Sequence, residues 1–211
     1  VKAGQLHFMQ LFVNDQRRFR PRLPESGYFK IAGELEPSGE AGGRGCDRFV
    51  FGADDLRADW ARLNDVEVLA FHSWSMSRLP IKAVDAEKKV VSFHGTSPSK
   101  DWWGKFPKGN RYLVENVKEA LRQPGQWYLD RAAGELLYLP RQGEAPDNVR
   151  VVAPRLEQLV AFSGDAEGGK YVQNILLQGL TFAHAAWRIP RTGQSIPQAE
   201  INLGAALSAT A

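Results

Sequence analysis

ENVKEALRQPGQWYLDRAAGELLYLP, residues 115–140, reads as a short helix that runs into a tight β-hairpin. Asn116 is a good N-cap, and Glu119 stands three residues later, where a capping-box acid reaches back. Val117, Ala120 and Leu121 share one helical face at i, i+3 and i+4. Pro124-Gly125 stops the helix and turns the chain. Residues 126–130 then alternate polar and apolar, Ala133-Gly134 makes a turn, and 135–139 return as a second strand before Pro140 breaks it. The unit is the expected local folding element of a β-rich domain, and nothing in it has the make-up of a reaction centre.

The same grammar repeats toward the N-terminus. Leu11-Phe12-Val13, Asn14-Asp15 and Gln16-Arg17-Arg18 read as two strands and a two-residue turn, because Asn and Asp tolerate the positive φ of a type I′ turn. If the strand stays extended, Arg18, Arg20 and Arg22 share one face, with Pro21 and Pro24 keeping it at an edge. Further strands are expected at 28–31, 49–51 and 66–71, the last running into His72-Ser73-Trp74. Residues 33–47, glycine-rich and polar, are expected to be the most mobile part. Asp54-Asp55-Leu56 starts a helical turn that carries Trp60. Residues 81–84 and 89–93 form another hairpin, and 95–110 form a loop despite Trp102 and Trp103. Strands at 150–152 and 159–162 complete a mainly antiparallel β region, barrel- or sandwich-like, with a few short helices.

After residue 165 the pattern changes. Residues 165–169 are an acidic, linker-like loop, and QNILLQGLTF follows at 173–182. Ile175 and Leu177 are two apart, as are Leu180 and Phe182, but the two pairs are out of phase, with Gly179 between them. Two short strands meeting at a Gln178-Gly179 corner account for this, since glycine takes the left-handed conformation that turns the chain. One coil of a parallel β-helix has this pattern. Residues 199–207, with Gly204 as corner, are the expected next strand pair. One or two coils cannot bury a solenoid core, which needs about three repeats. The chain, starting at Val1 rather than Met and stopping at Ala211 in mid-pattern, is therefore expected to be a piece of something longer.

Composition narrows the functional classes. With 43% hydrophobic and 24% charged residues, the chain is ordinary for a soluble globular protein. No apolar run is long enough for a membrane-spanning helix, and none reads as a signal peptide. A net charge of +3 is mild, and the only basic clustering is Arg17, Arg18, Arg20 and Arg22, narrower than a nucleic-acid surface. The single cysteine, Cys46, excludes an internal disulfide and a thiolate zinc site. Six tryptophans mean either a bulky core or a sugar-facing surface.

Candidate chemistry is sparse. A glycosidase needs two carboxylates roughly 5–10 Å apart across a cleft. Asp54 and Asp55 are adjacent and point apart in regular structure; Asp130 and Glu135 can approach across their hairpin, where solvated turn acids are the commoner outcome. His72, His94 and His184 lack metal spacing, so no metal or other cofactor is expected. Ser73 and Ser75 flank Trp74 without the acid and base of a triad, and no catalytic residue is assigned. The aromatic residues are the better lead. Trp102 and Trp103 lie in a Gly/Lys/Pro loop where core burial is less automatic, and an indole face stacks on sugar C–H surfaces through its large area and few rotors. His184 and Trp187 follow the first coil strand and are placed to line a cleft, with interdomain packing as the competing role. Trp60, Trp74 and Trp127 are expected in the core. Arg18, Arg20 and Arg22 can hold a uronate or sulfate by bidentate contacts, against the common outcome of a solvated strand face.

Four stretches carry a family resemblance: LFVNDQRRFRPRLPESGYF (11–29), VEVLAFHSWSMSRLPIKAVD (66–85), residues 115–140, and NILLQGLTFAHAAW (174–187). In this order, over nearly the whole chain, they resemble the insertion domain of bacterial right-handed parallel β-helix proteins of the glycoside hydrolase family 141 type. Family hairpins carry Gly where Asp15 stands and an acid where Gln126 stands, changes that leave the fold intact. The resemblance implies a β-barrel-like insertion domain at 1–165, and at 166–211 the truncated first coil or coils of the β-helix. It implies a secreted or periplasmic parent acting on complex polysaccharide. Catalytic carboxylates of such enzymes lie on later coils, so none is carried over. The expected function is an accessory, non-catalytic module of a polysaccharide-degrading glycoside hydrolase that braces the β-helix and shapes the substrate cleft. Its expected partners are a polysaccharide or oligosaccharide and the remainder of the β-helix, with no nucleic acid and no membrane. An autonomous carbohydrate-binding module and a fragment of a β-helix polysaccharide lyase are the alternatives.

Overall fold

A computed structural model describes residues 7–199 and 203–210. Its regular structure is almost all β, and among the described residues no α-helix and no closed barrel forms. The largest sheet runs in the order Arg22–Leu23, Arg111–Glu115, Glu67–Phe71, Met76–Asp85, Val90–Phe93, Arg48–Val50, Gly33–Glu34, each strand antiparallel to the next. Phe29–Lys30 adds to Arg111–Glu115, and Gln194–Ser195 adds to Met76–Asp85.

Met76–Asp85 joins the two halves of this sheet. Its first half pairs with Glu67–Phe71 and its second with Val90–Phe93. The hairpin expected at 81–93 is present, but its first strand starts at Met76. Pro80 is accommodated beside a register shift between Ile81 and Ala83, where the strand is free to bend. The sequence reading places no strand at 111–115; one forms because Tyr112 and Val114 pack beside Ala70 and Val68.

Alternation sorts the two faces of the sheet. Val68 lies between Leu79 and Val114, and all three are buried. With Phe49, Phe51, Ile81, Val91, Phe93 and Phe106 they form the main core. The opposite face carries Glu67, Leu69, Arg78 and Glu115.

Both hairpins named from their turns are present. Leu11–Val13 pairs with Gln16–Arg18 through Asn14 and Asp15, at φ 50° and 61°, and Val151–Val152 adds a third strand. Trp127–Asp130 pairs with Glu135–Tyr138. Phe8, Leu11, Val13, Trp127 and Leu129 pack into a second, smaller core.

The helix expected before the second hairpin does not form. Lys118–Ala120 is a single 3-10 turn. Asn116 is not its cap: it takes φ 66° and its side-chain amide donates to the Asp65 carbonyl at 2.9 Å. Glu119 accepts the Ala61 N–H at 2.7 Å instead of closing a capping box. A segment this short is marginal as a helix, and partners from elsewhere in the chain decide its shape. Residues around Asp54 likewise form turns rather than a helix, although Trp60 is buried as expected.

Residues 33–47 are pinned rather than loose. Ser38 donates its N–H (2.9 Å) and its hydroxyl to Asp47, and the Cys46 N–H reaches Ser97 Oγ at 2.9 Å. Gly45 is required there, since a Cβ would lie 2.1 Å from the Ser97 carbonyl oxygen.

The expected strand pair at 173–182 is absent. Gly179 does turn the chain at φ 69°, but no strand flanks it, and Leu176 is 80% exposed. A rung takes its ladder from stacked neighbours, and among the described residues no strand pairs with this one. The strand pair expected at 199–207 falls partly outside the described residues; Leu207–Thr210 is a strand, parallel to Val160–Ser163. By contrast, the segment near 192–197 is tied to the large sheet. Ile196 is buried, and the Trp74 indole N–H donates to the Pro197 carbonyl at 2.9 Å.

Candidate functional site

Two clusters of side chains stand out. The first lies on the sheet face opposite the main core. Register sets Glu67 directly across from Glu115, a like-charge pair that alone would push the strands apart. Arg20 resolves the conflict by donating to both Glu67 oxygens (3.0 and 2.6 Å) and to Glu115 (3.0 Å). Arg78 donates to the same two carboxylates at 2.7 and 2.6 Å. Burial works against the Glu67 charge, but the two guanidinium groups outweigh it and hold its pKa down at about 2. Burial also opposes ionisation of Glu115, and Arg78 and Arg20 again prevail and lower its pKa. Both acids are thus held in their charged form, and the quartet ties Arg111–Glu115, Glu67–Phe71 and Met76–Asp85 together across the sheet. Trp187 covers it, with the Arg78 guanidinium 5.4 Å from the ring centroid and the Trp187 backbone N–H donating to Gln10 Oε1 at 2.8 Å.

The second cluster is aromatic and faces solvent. Trp74 stacks on Trp103 with centroids 5.4 Å apart and planes 16° off parallel. Trp102 meets Trp74 edge-on at 5.8 Å. Trp74 is 56% exposed and Trp102 73%, so Trp74 leaves its expected core position and joins the pair named from sequence. The loop beneath them is stiff. Gly104 leaves no room for a Cβ, which would meet the Ser99 backbone nitrogen at 2.7 Å, and Ser99 and Asp101 exchange hydrogen bonds at 2.9 and 3.0 Å. Trp60 and Trp127 are buried as expected.

The other residues singled out from sequence are dispersed. The arginines do not form a ladder. Arg18 is buried and pairs with Glu144 and the Tyr138 hydroxyl; Arg20 belongs to the quartet; Arg22 closes its own turn through the Pro24 and Gly27 carbonyls at 3.1 and 2.6 Å. His184 packs on Phe12 at 4.2 Å, with Nε2 2.7 Å from Asp15 Oδ1. Trp102 and Trp103 are together; His184 and Trp187 lie elsewhere, on the hairpin turn and on the quartet.

The candidate acid pairs separate by environment. Asp130 faces Glu135 across the hairpin, but the Lys118 ammonium (2.8 Å) and the Ala133 N–H (3.0 Å) hold its pKa at about 2. Burial pushes Asp55 up despite the hydroxyl donated by Tyr112 at 2.7 Å, while its neighbour Asp54 is exposed. His72 Nδ1 lies 2.9 Å from the Lys105 carbonyl, which leaves Nε2 to accept the Ser77 hydroxyl at 2.7 Å; Ser77 is fully buried and no substrate reaches it. Among the described residues no group of His, Cys, Asp and Glu is arranged to hold a metal. Sequence reasoning missed the quartet, whose one signal was a charge, Glu67, set inside the apolar run VEVLAF.

No family model matches the chain, and no curated protein matches it. A solved structure named "Glycoside hydrolase" is similar in fold, with a TM-score of 0.74 and 22% sequence identity over 91% of this chain and 34% of that one. The chain therefore spans about a third of the length of the structure it matches.

Proposed function

We propose that the chain is a non-catalytic, carbohydrate-contacting module of a larger glycoside hydrolase, with residues 1–165 as a β-rich insertion domain and 166–211 as the start of a parallel β-helix. The observation that carries the carbohydrate reading is the Trp74–Trp102–Trp103 platform: three indoles brought together where two loops meet, two of them largely in water. Exposing that much aromatic surface is costly unless something stacks on it, and the C–H face of a sugar ring fits. The likeness in fold to a protein named a glycoside hydrolase supports the same class of ligand. The non-catalytic part rests on the acids: arginines hold Glu67 and Glu115 ionised, Lys118 does the same for Asp130, and Asp55 stands without a second carboxylate poised to work with it. The parallel pairing of Val160–Ser163 with Leu207–Thr210 supports the β-helix continuation, as do the exposed Ile175, Leu177 and Leu180. A secreted or periplasmic parent goes with that reading.

Affinity electrophoresis in gels cast with neutral polysaccharides tests it. Retardation is expected for the chain, and Trp102→Ala should weaken it by about tenfold, or about 1.4 kcal/mol. Trp102 is mostly in solvent, so its loss should leave folding intact. Equal retardation of the chain and the variant would remove the platform from the binding site. Polysaccharide turnover by the chain alone would overturn the non-catalytic assignment.

A further inference from the structure

A separate cavity of about 390 Å³ opens where residues 64–67, Arg131 at the hairpin tip and residues 189–191 meet. His7, Arg20, His94, Arg131 and Arg191 face it, over an apolar floor that includes Phe8 and Leu129. Two acids also reach its wall, and both are already matched: Glu67 by Arg20 and Arg78, Asp65 by Arg131. Arg191 has no ion-pair partner among the described residues, so the cavity keeps a positive charge in surplus. That charge works on its neighbours. Partial burial and the nearby Arg191 charge both press on Arg131, and burial followed by the Arg131 charge pushes the His7 pKa down. An anion seated between them would relieve this repulsion. The volume suits one sugar unit, and a guanidinium fork matches a planar oxyanion.

We infer that this cavity is an anion subsite that takes the carboxylate of a uronic acid unit, held by the Arg191 guanidinium beside an Arg131 that Asp65 anchors, with the ring against the apolar floor. The inference rests on the carbohydrate reading above and narrows it to an acidic sugar chain. The site is distinct from the tryptophan platform, which provides stacking without regard to charge.

Isothermal titration of the whole chain with trigalacturonate, with neutral galactotriose and with inorganic sulfate tests it. Trigalacturonate is expected to bind at least tenfold more tightly than galactotriose. Arg191→Ala, at an exposed position with no ion-pair partner among the described residues, should abolish that preference, whereas Trp102→Ala should weaken both sugars alike. Equal binding of the two sugars, unchanged in Arg191→Ala, overturns the anion subsite and leaves the platform standing. Binding of sulfate alone, lost in Arg191→Ala, means the cavity takes a free oxyanion and overturns the sugar assignment. No binding of any probe overturns both readings.

Discussion

Residues 66–93 and residues 171–182 are both rich in valine, leucine, isoleucine and phenylalanine, yet they end in opposite states. The first region supplies two central strands whose Val68, Leu79 and Ile81 are fully buried. The second has no regular structure and leaves Leu176, Leu180 and Ile175 in water. Apolar content alone does not make a strand. A strand needs a neighbour to complete its ladder and a second layer to cover one face, and of these two regions only the first has both.

The largest test of this contrast breaks the charge network that ties the central strands together. Glu67→Gln leaves Arg20 and Arg78 buried with Glu115 alone, and the expected loss is about 3–5 kcal/mol, read from the urea midpoint. The same residue governs acid sensitivity. Its folded pKa of about 2 lies below the ordinary 4.5, so its contribution is complete above pH 4.5 and fades as the pH falls toward 2. The variant should show a correspondingly shallower loss of stability over that window. A variant as stable as the parent would mean that the pairs of Glu67 with Arg20 and Arg78 add no net stability.

A matched pair of truncations comes next. Leu79→Ala should cost about 2–5 kcal/mol, and Leu176→Ala no more than about 0.5 kcal/mol. A comparable cost at both positions would show that 171–182 is packed after all. Smaller again is the effect at the junction. Gly193 takes φ 81°, and a Cβ there would lie 2.3 Å from the Arg78 carbonyl oxygen. Gly193→Ala should cost about 1–3 kcal/mol of local strain, seen as faster amide exchange at Gln194–Ser195 with Glu67–Phe71 unaffected. Faster exchange across both regions would join them into one cooperative unit.

Turn chemistry was the most legible part of the sequence. Asn14-Asp15 and Gly134 each mark a hairpin that is present, because a positive φ is a local demand answered by local residue types. Helix signals at Asn116 and Asp54 failed for the complementary reason. Both segments are short, and distant groups, the Asp65 carbonyl for Asn116 and the Tyr112 hydroxyl for Asp55, outbid the helix for their polar atoms. For the candidate site, Trp102 and Trp103 could be named from their loop, but Trp74 could not, since its position depends on two loops meeting.

The sequence by itself determined the β class, the hairpin turns and the absence of familiar catalytic or metal motifs, all of which depend on residues close together in the chain. Only the tertiary structure decided that Glu67 faces Glu115 between two arginines, that three tryptophans share one exposed platform, and that Arg131 and Arg191 crowd one cavity. Those pairings join residues tens of positions apart. Charge and stacking act through space, and the distances that set them exist only once the sheet register is fixed.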